Sequence, residues 1–191
     1  MPDDPGGRGR GNLFKGYGGY KIGTAKDPSA VSLRSRAEAL FQALLRKSLR
    51  IVTVESCTAG LVADNLASIP GASTVLWGAY VCYTVDAKVK MVGIDPVLIQ
   101  VHGPVSREVA LALCDGAIGN SGADVAVSIT GLAGPEGDGT DTPIGTVWIG
   151  VKIRGKDSTA RSFLFHGNRA KVRKAAAEAA MGQVLSSLSP L

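Results

Sequence analysis

Ser56, Cys57 and Thr58 follow one another where an apolar run stops and a helical pattern starts. Arg50 to Val54 is apolar and β-branched enough for a buried strand, while Leu61, Val62, Asn65 and Leu66 fall at helical spacing. Ser56 is therefore placed at a strand-to-helix corner. The unpaired N–H groups of a first helical turn can hold a phosphate, a carboxylate or the oxyanion of a tetrahedral intermediate, so a hydroxyl there suits acyl transfer. The same pattern is satisfied if Ser56 or Thr58 is only an N-cap, contributing about 1 kcal/mol to the helix. Cys57 is a further candidate nucleophile if the helix start lowers its thiol pKa, and a buried small residue otherwise. Tyr83 and Lys88 set a phenol and an amine five residues apart. No histidine stands in these stretches, so a lysine can act as base here only if burial or a neighbouring positive charge keeps it neutral; on its local pattern alone Lys88 reads equally as a surface lysine on a short helix.

Elements of regular spacing must hold these groups. Asp27-Pro28 reads as a cap and first helical position for a helix through Leu33, Ala37, Leu40, Phe41, Leu44 and Leu45, covering one face of a sheet. After the Ser56 corner, Ile69 to Ser73 breaks the pattern, and Val75 to Tyr83 forms a second strand. A short helix carrying Lys88 ends near Gly93, Asp95-Pro96 begins another, and Pro104-Val105-Ser106 starts a longer one with Val109, Leu113 and Ile118 inward. Asp124 to Thr130 is a third strand, which runs into the glycine-dense loop Gly131 to Gly139. Ile144–Ile153 and Ser158–Phe165 flank Arg154-Gly155-Lys156-Asp157 as a hairpin, and a last helix spans Arg169 to Leu188. Alternating helices and strands with one hairpin predict an α/β layered domain with a mixed sheet.

Composition narrows the function classes. With 191 residues and 45% hydrophobic content, one domain with a sizeable core is expected, and no apolar run is long enough to cross a bilayer. The start, Met1-Pro2-Asp3-Asp4-Pro5, has no secretory signal pattern. Three cysteines without a CxxC pair argue for a reducing compartment, hence a cytoplasmic location, and two distant histidines assemble no metal site. The formal charge of +5 is diluted by residues 1–26, a basic Gly-rich tail expected to be disordered, so nucleic acid is not an expected partner. The domain is placed at 27–191. His102, ahead of a proline, is read as structural, and Trp77 and Trp148 as core residues rather than stacking platforms.

Six ordered motifs together resemble one family. Glu55-Ser56-Cys57-Thr58-Ala59-Gly60, Pro70-Gly71-Ala72-Ser73, Tyr83 through Lys88, His102 through Ser106, Thr130 through Pro135 and Gly145-Thr146-Val147-Trp148 are similar to the CinA C-terminal domain family over residues 35 to 188. The resemblance implies a three-layer α/β/α sandwich with a mixed, mostly parallel sheet. It also implies hydrolysis of the carboxamide of nicotinamide mononucleotide (NMN) to nicotinate mononucleotide and ammonia, with no cofactor and no metal. In longer family members the domain follows one resembling molybdopterin-binding proteins, whose pyrophosphatase activity is not carried over.

On this resemblance Ser56 is the nucleophile, Lys88 the base and Tyr83 a relay or acid, with Ser73 as a rival nucleophile or bridging hydroxyl. Thr58, Gly60, Thr130, Gly131 and Arg169 are expected to bind substrate, the last through its phosphate or else in a surface ion pair. Backbone N–H groups of the glycine loop would serve the ribose phosphate, with Glu136, Asp138 and Asp141 turned outward or binding ribose hydroxyls instead. A homo-oligomer is expected. The family usually has a glycine where Ala59 stands and an asparagine where Val85 stands, which leaves a catalytically weak pyridine-nucleotide-binding module as the alternative.

Overall fold

A computed structural model describes residues 28–189; the Gly-rich tail and the capping role of Asp27 lie outside the described residues. The elements run α1 (Pro28–Arg46), β1 (Ile51–Glu55), α2 (Leu61–Ala67), β2 (Leu76–Val81), α3 (Val85–Val92), α4 (Pro96–His102), α5 (Arg107–Ser121), β3 (Val125–Gly131), β4 (Thr146–Ile153), β5 (Thr159–Leu164) and α6 (Arg169–Leu188). They build one five-stranded sheet in the order β2-β1-β3-β4-β5. β1 pairs parallel with both neighbours, whereas β3–β4 and β4–β5 are antiparallel, so β4 alone runs against the other four strands.

Strand periodicity divides the core into two layers. Ile51, Val125, Val127, Ile129, Val147 and Ile149 face α1, α2 and α6, where they meet Leu40, Leu44, Leu66 and Met181. Val52, Val54 and Ala126 face α5 and the short helices, meeting Val92, Ile99, Leu113 and Ala117. Every residue of β1 is buried, which explains its unbroken apolar run. The approach of α5 to the sheet requires a bare backbone at Gly150, where a Cβ would lie 2.5 Å from Ser128 Oγ and 2.7 Å from the Ala110 carbonyl oxygen. The three-layer sandwich with a mixed sheet is thus the architecture found, and among the described residues no helix is long and apolar enough to cross a membrane.

Helix punctuation follows the sequence closely. Thr84 caps α3, Asp95 caps α4 ahead of Pro96, Ser106 caps α5 and Asn168 caps α6, each through a side-chain oxygen. α2 is different. Its N-cap is Gly60, in a left-handed conformation with φ 90° and no side-chain cap, so neither Ser56 nor Thr58 has the capping role the sequence allowed them.

Candidate active site

The corner after β1 is held by a group not anticipated from sequence. Glu55 is fully buried and its carboxylate accepts hydrogen bonds from the Val62 and Ala63 N–H groups, at 3.1 and 3.0 Å, and from Thr53 Oγ1 at 3.0 Å. The first-turn donors of α2 are therefore filled from inside the protein, and the expected use of them for a substrate anion is corrected. From the other side Arg173 of α6 donates to the Cys57 and Thr58 carbonyl oxygens at 2.9 and 2.8 Å. Between these grips the chain turns through Ala59, at φ 51°. A left-handed alanine is strained by about 1 kcal/mol, so Ala59→Gly is expected to raise the melting temperature by a few degrees, read by calorimetry.

Ser56 is almost buried, and its N–H donates to the Ile129 carbonyl oxygen at 3.0 Å, extending the β1–β3 ladder by one residue. With Glu55 opposite Ile129, Ser56 is the strand neighbour of Thr130. Thr130 in turn meets Lys88 of α3. The Lys88 Nζ donates to Thr130 Oγ1 at 2.8 Å and to the Pro104 carbonyl oxygen at 2.9 Å, and Thr130 Oγ1 donates to the same carbonyl at 2.7 Å. Because the hydroxyl spends its proton on Pro104, it can only accept from the amine. A neutral Lys88 has two N–H bonds, both used here, and its lone pair is left for a third partner.

Lys88 is only 2% exposed. Burial lowers its pKa from 10.5 to about 8, and Cys57 and Cys82 would oppose this only as thiolates. Burial pushes both thiols up to about 11, so they are uncharged where Lys88 titrates. The same shift corrects the activated-thiol reading of Cys57: its surroundings disfavour the thiolate.

A cavity of about 140 Å³ opens at the C-terminal ends of β1 and β3, lined by residues that include Ser56, Cys57, Tyr83, Gly131, Glu136 and Arg169. Arg169, the first residue of α6, donates to the Gly134 carbonyl oxygen at 2.7 Å and to the Tyr83 hydroxyl. Neither partner is charged, and among the described residues Arg169 forms no ion pair. Asp138 and Asp141 do not line the cavity, whereas Glu136 does. Thr58 is fully buried and does not line the cavity, and among the described residues its hydroxyl has no hydrogen-bond partner.

The fold does not bring Ser73 to this place. It lies in a turn before β2, and because β2 runs parallel to β1, that turn is at the end of the sheet opposite Ser56. Val85 is 45% exposed at the start of α3 and does not line the cavity. Trp77, stacked near Tyr80 and 37% exposed, is an edge residue rather than a core one, and neither it nor Trp148 reaches the cavity. His102 sits 3.7 Å from Glu108, away from the cavity. The sequence reading missed Glu55 as an anchor, Arg173, and the Pro104 carbonyl; for Arg173 the available signal was its spacing of one helical turn from Arg169.

Comparison with known proteins places the geometry in context. The family model described as CinA C-terminal domain matches residues 33–188. The CinA-like protein of Mycobacterium tuberculosis is 44% identical over 140 residues, covering 73% of this chain and 33% of the relative. That of Chlorobaculum tepidum is 37% identical over 158 residues, covering 81% and 37%. The chain thus spans about a third of the length of these relatives. Among solved structures, a competence-damaged protein (CinA) superfamily protein from Escherichia coli aligns with TM-score 0.79 and 32% identity over 87% of this chain and 95% of that one. A competence/damage inducible protein from Agrobacterium tumefaciens gives 0.78 and 32% over 81% and 94%. The family match over nearly all described residues, the identities and the shared fold agree: the chain belongs to the CinA C-terminal domain family.

Proposed function

We propose that the chain is a nicotinamide-nucleotide amidase that hydrolyses the carboxamide of NMN, acting in the cytoplasm as a homo-oligomer. The observation that carries this reading is the buried Lys88 amine, tied to the strand neighbour of Ser56 and with a pKa lowered to about 8. In the proposed reaction the Ser56 hydroxyl attacks the carboxamide carbon while its proton passes to neutral Lys88, with Thr130 fixing the amine. The tetrahedral intermediate expels the amide nitrogen, which takes the proton from Lys88 and leaves as ammonia. Water then attacks the Ser56 ester, and the carboxylate departs with Ser56 reprotonated. Arg169, whose partners among the described residues are the Gly134 carbonyl and the Tyr83 hydroxyl, is the proposed ligand of the substrate phosphate. Tyr83, beside Arg169, orients the substrate.

Ammonia release from NMN tests the reading. The rate kcat/KM is expected to rise with pH through about 8, as Lys88 loses its proton. The cationic pyridinium of bound NMN disfavours the ammonium further, so the midpoint in kcat should lie below that in kcat/KM. No ammonia at any pH from 6 to 10 would sink the proposal. One observation favours the binding-module alternative: Lys88 bonds Thr130 and Pro104 and makes no hydrogen bond to Ser56. For that alternative, NMN would raise the melting temperature without being consumed.

A further inference from the structure

The cavity beside Ser56 is lined by two opposite charges that do not meet. Among the described residues lining it, Glu136 is the one carboxylate and Arg169 the one cation. Arg169 donates to the Gly134 carbonyl oxygen and to the Tyr83 hydroxyl, so its guanidinium lies against backbone only two residues from Glu136, a span of at most about 7 Å between Cα atoms. Even so the two form no ion pair, and no described residue offers the Glu136 carboxylate a hydrogen bond. Asp138 differs: its carboxylate is taken up by Thr140, and neither it nor Asp141 lines the cavity.

A ligand entering a space of about 140 Å³ strips water from both charged groups, and a carboxylate deprived of water needs a counter-charge. An uncharged ligand leaves both groups uncompensated, and an anion compensates Arg169 alone. A zwitterion with its charges held apart satisfies both. NMN is one, with a cationic ring and an anionic phosphate; with its carboxamide at Ser56 and its phosphate at Arg169, ring and ribose come to lie in the cavity that Glu136 lines. We propose that Glu136 reads the charge of the ring. Its carboxylate faces the pyridinium and selects NMN over the reduced mononucleotide, whose dihydropyridine ring is neutral while carboxamide, ribose and phosphate are unchanged. Glu136 is thus a specificity-determining residue and takes no part in bond making. The inference rests on the amidase reading for the placement of the ligand, but the ring's charge is read in binding, so the two fail separately.

Binding is measured on the Ser56→Ala chain, which turns over neither nucleotide, by calorimetric titration with NMN and with reduced NMN. NMN should bind about fivefold more tightly, the upper range for one solvent-facing charge pair, and the preference should shrink at about 1 M salt, where the screening length is about 3 Å. Adding Glu136→Gln should bring the ratio close to one by weakening NMN alone, Glu136→Asp should keep part of the preference, and Glu136→Lys should invert it. Glu136 is exposed and has no partner among the described residues, so these variants should keep the parent's melting temperature. Equal weakening of both nucleotides by Glu136→Gln, the mark of a carboxylate on ribose hydroxyls, overturns the inference, as does an unchanged ratio or binding of neither nucleotide. A ratio that follows the charge at position 136, in a protein whose Ser56 parent releases no ammonia, would instead retire the amidase reading and leave the selection by Glu136 standing.

Discussion

Lys88→Met is expected to abolish turnover of NMN and, at neutral pH, to make the protein more stable. The first effect follows from removing the proposed base, a loss of about 10²–10⁴-fold in kcat. The second follows from the amine's environment. With a folded pKa of about 8 against 10.5 when unfolded, the unfolded chain binds more protons between those values, so stability rises with pH across that window. Below about pH 8 the folded protein carries the full cost of an ammonium in a buried site, about 3 kcal/mol. Methionine removes that cost and gives up two hydrogen bonds, each contributing about 1 kcal/mol. A net gain of about 1–2 kcal/mol, or a few degrees in melting temperature, is the expected balance. The decisive measurement is a melting series from pH 6 to 10 for parent and variant, in which the parent's upward slope above pH 8 should vanish from the variant. A Lys88→Met protein that melts well below the parent and still releases ammonia would contradict both halves.

Ser56→Ala is expected to lower kcat by about 10⁴–10⁶-fold, the range for removal of a covalent nucleophile, while NMN still raises its melting temperature. The hydroxyl makes no side-chain hydrogen bond among the described residues and Glu55, Arg173 and the ladder bond to Ile129 hold the corner without it, so the scaffold should survive its loss. Mass spectrometry adds a second readout: the parent, quenched during turnover, should carry a nicotinate mononucleotide ester at Ser56 that the variant lacks. Persisting turnover in Ser56→Ala would remove the proposed nucleophile and reopen the question for the hydroxyl of Ser73.

The fold was legible because its punctuation is local. Asp95-Pro96, Ser106 and Asn168 announce helix starts through their own side chains, and Gly93 and Gly122 announce ends by accepting left-handed backbone. The site was less legible, because its contacts cross between elements. Lys88 meets Thr130 and Pro104 only after α3 and α5 pack on the same face of the sheet, and no spacing along the chain encodes that meeting. Thr130 was expected to offer a backbone donor; in the structure its side chain bonds Lys88 and the Pro104 carbonyl. The Ser56 corner differs from expectation because the Glu55 carboxylate, buried at the strand end, needs donors and takes the Val62 and Ala63 N–H groups. Ser73 stands apart from Ser56 within the chain for a topological reason: in a strand-helix-strand unit with parallel strands, the turn that enters the second strand lies at the far end of the sheet from the turn that leaves the first.

α6 contributes Arg169 and Arg173 from its opening turns, one to the Tyr83 side of the cavity and one to the Ser56 corner. Its twenty residues extend about 30 Å from there to Leu188. A tether or label attached near Ser189 would therefore hold the molecule by the end remote from its working mouth. Immobilised that way, the protein would offer its opening to the surrounding liquid.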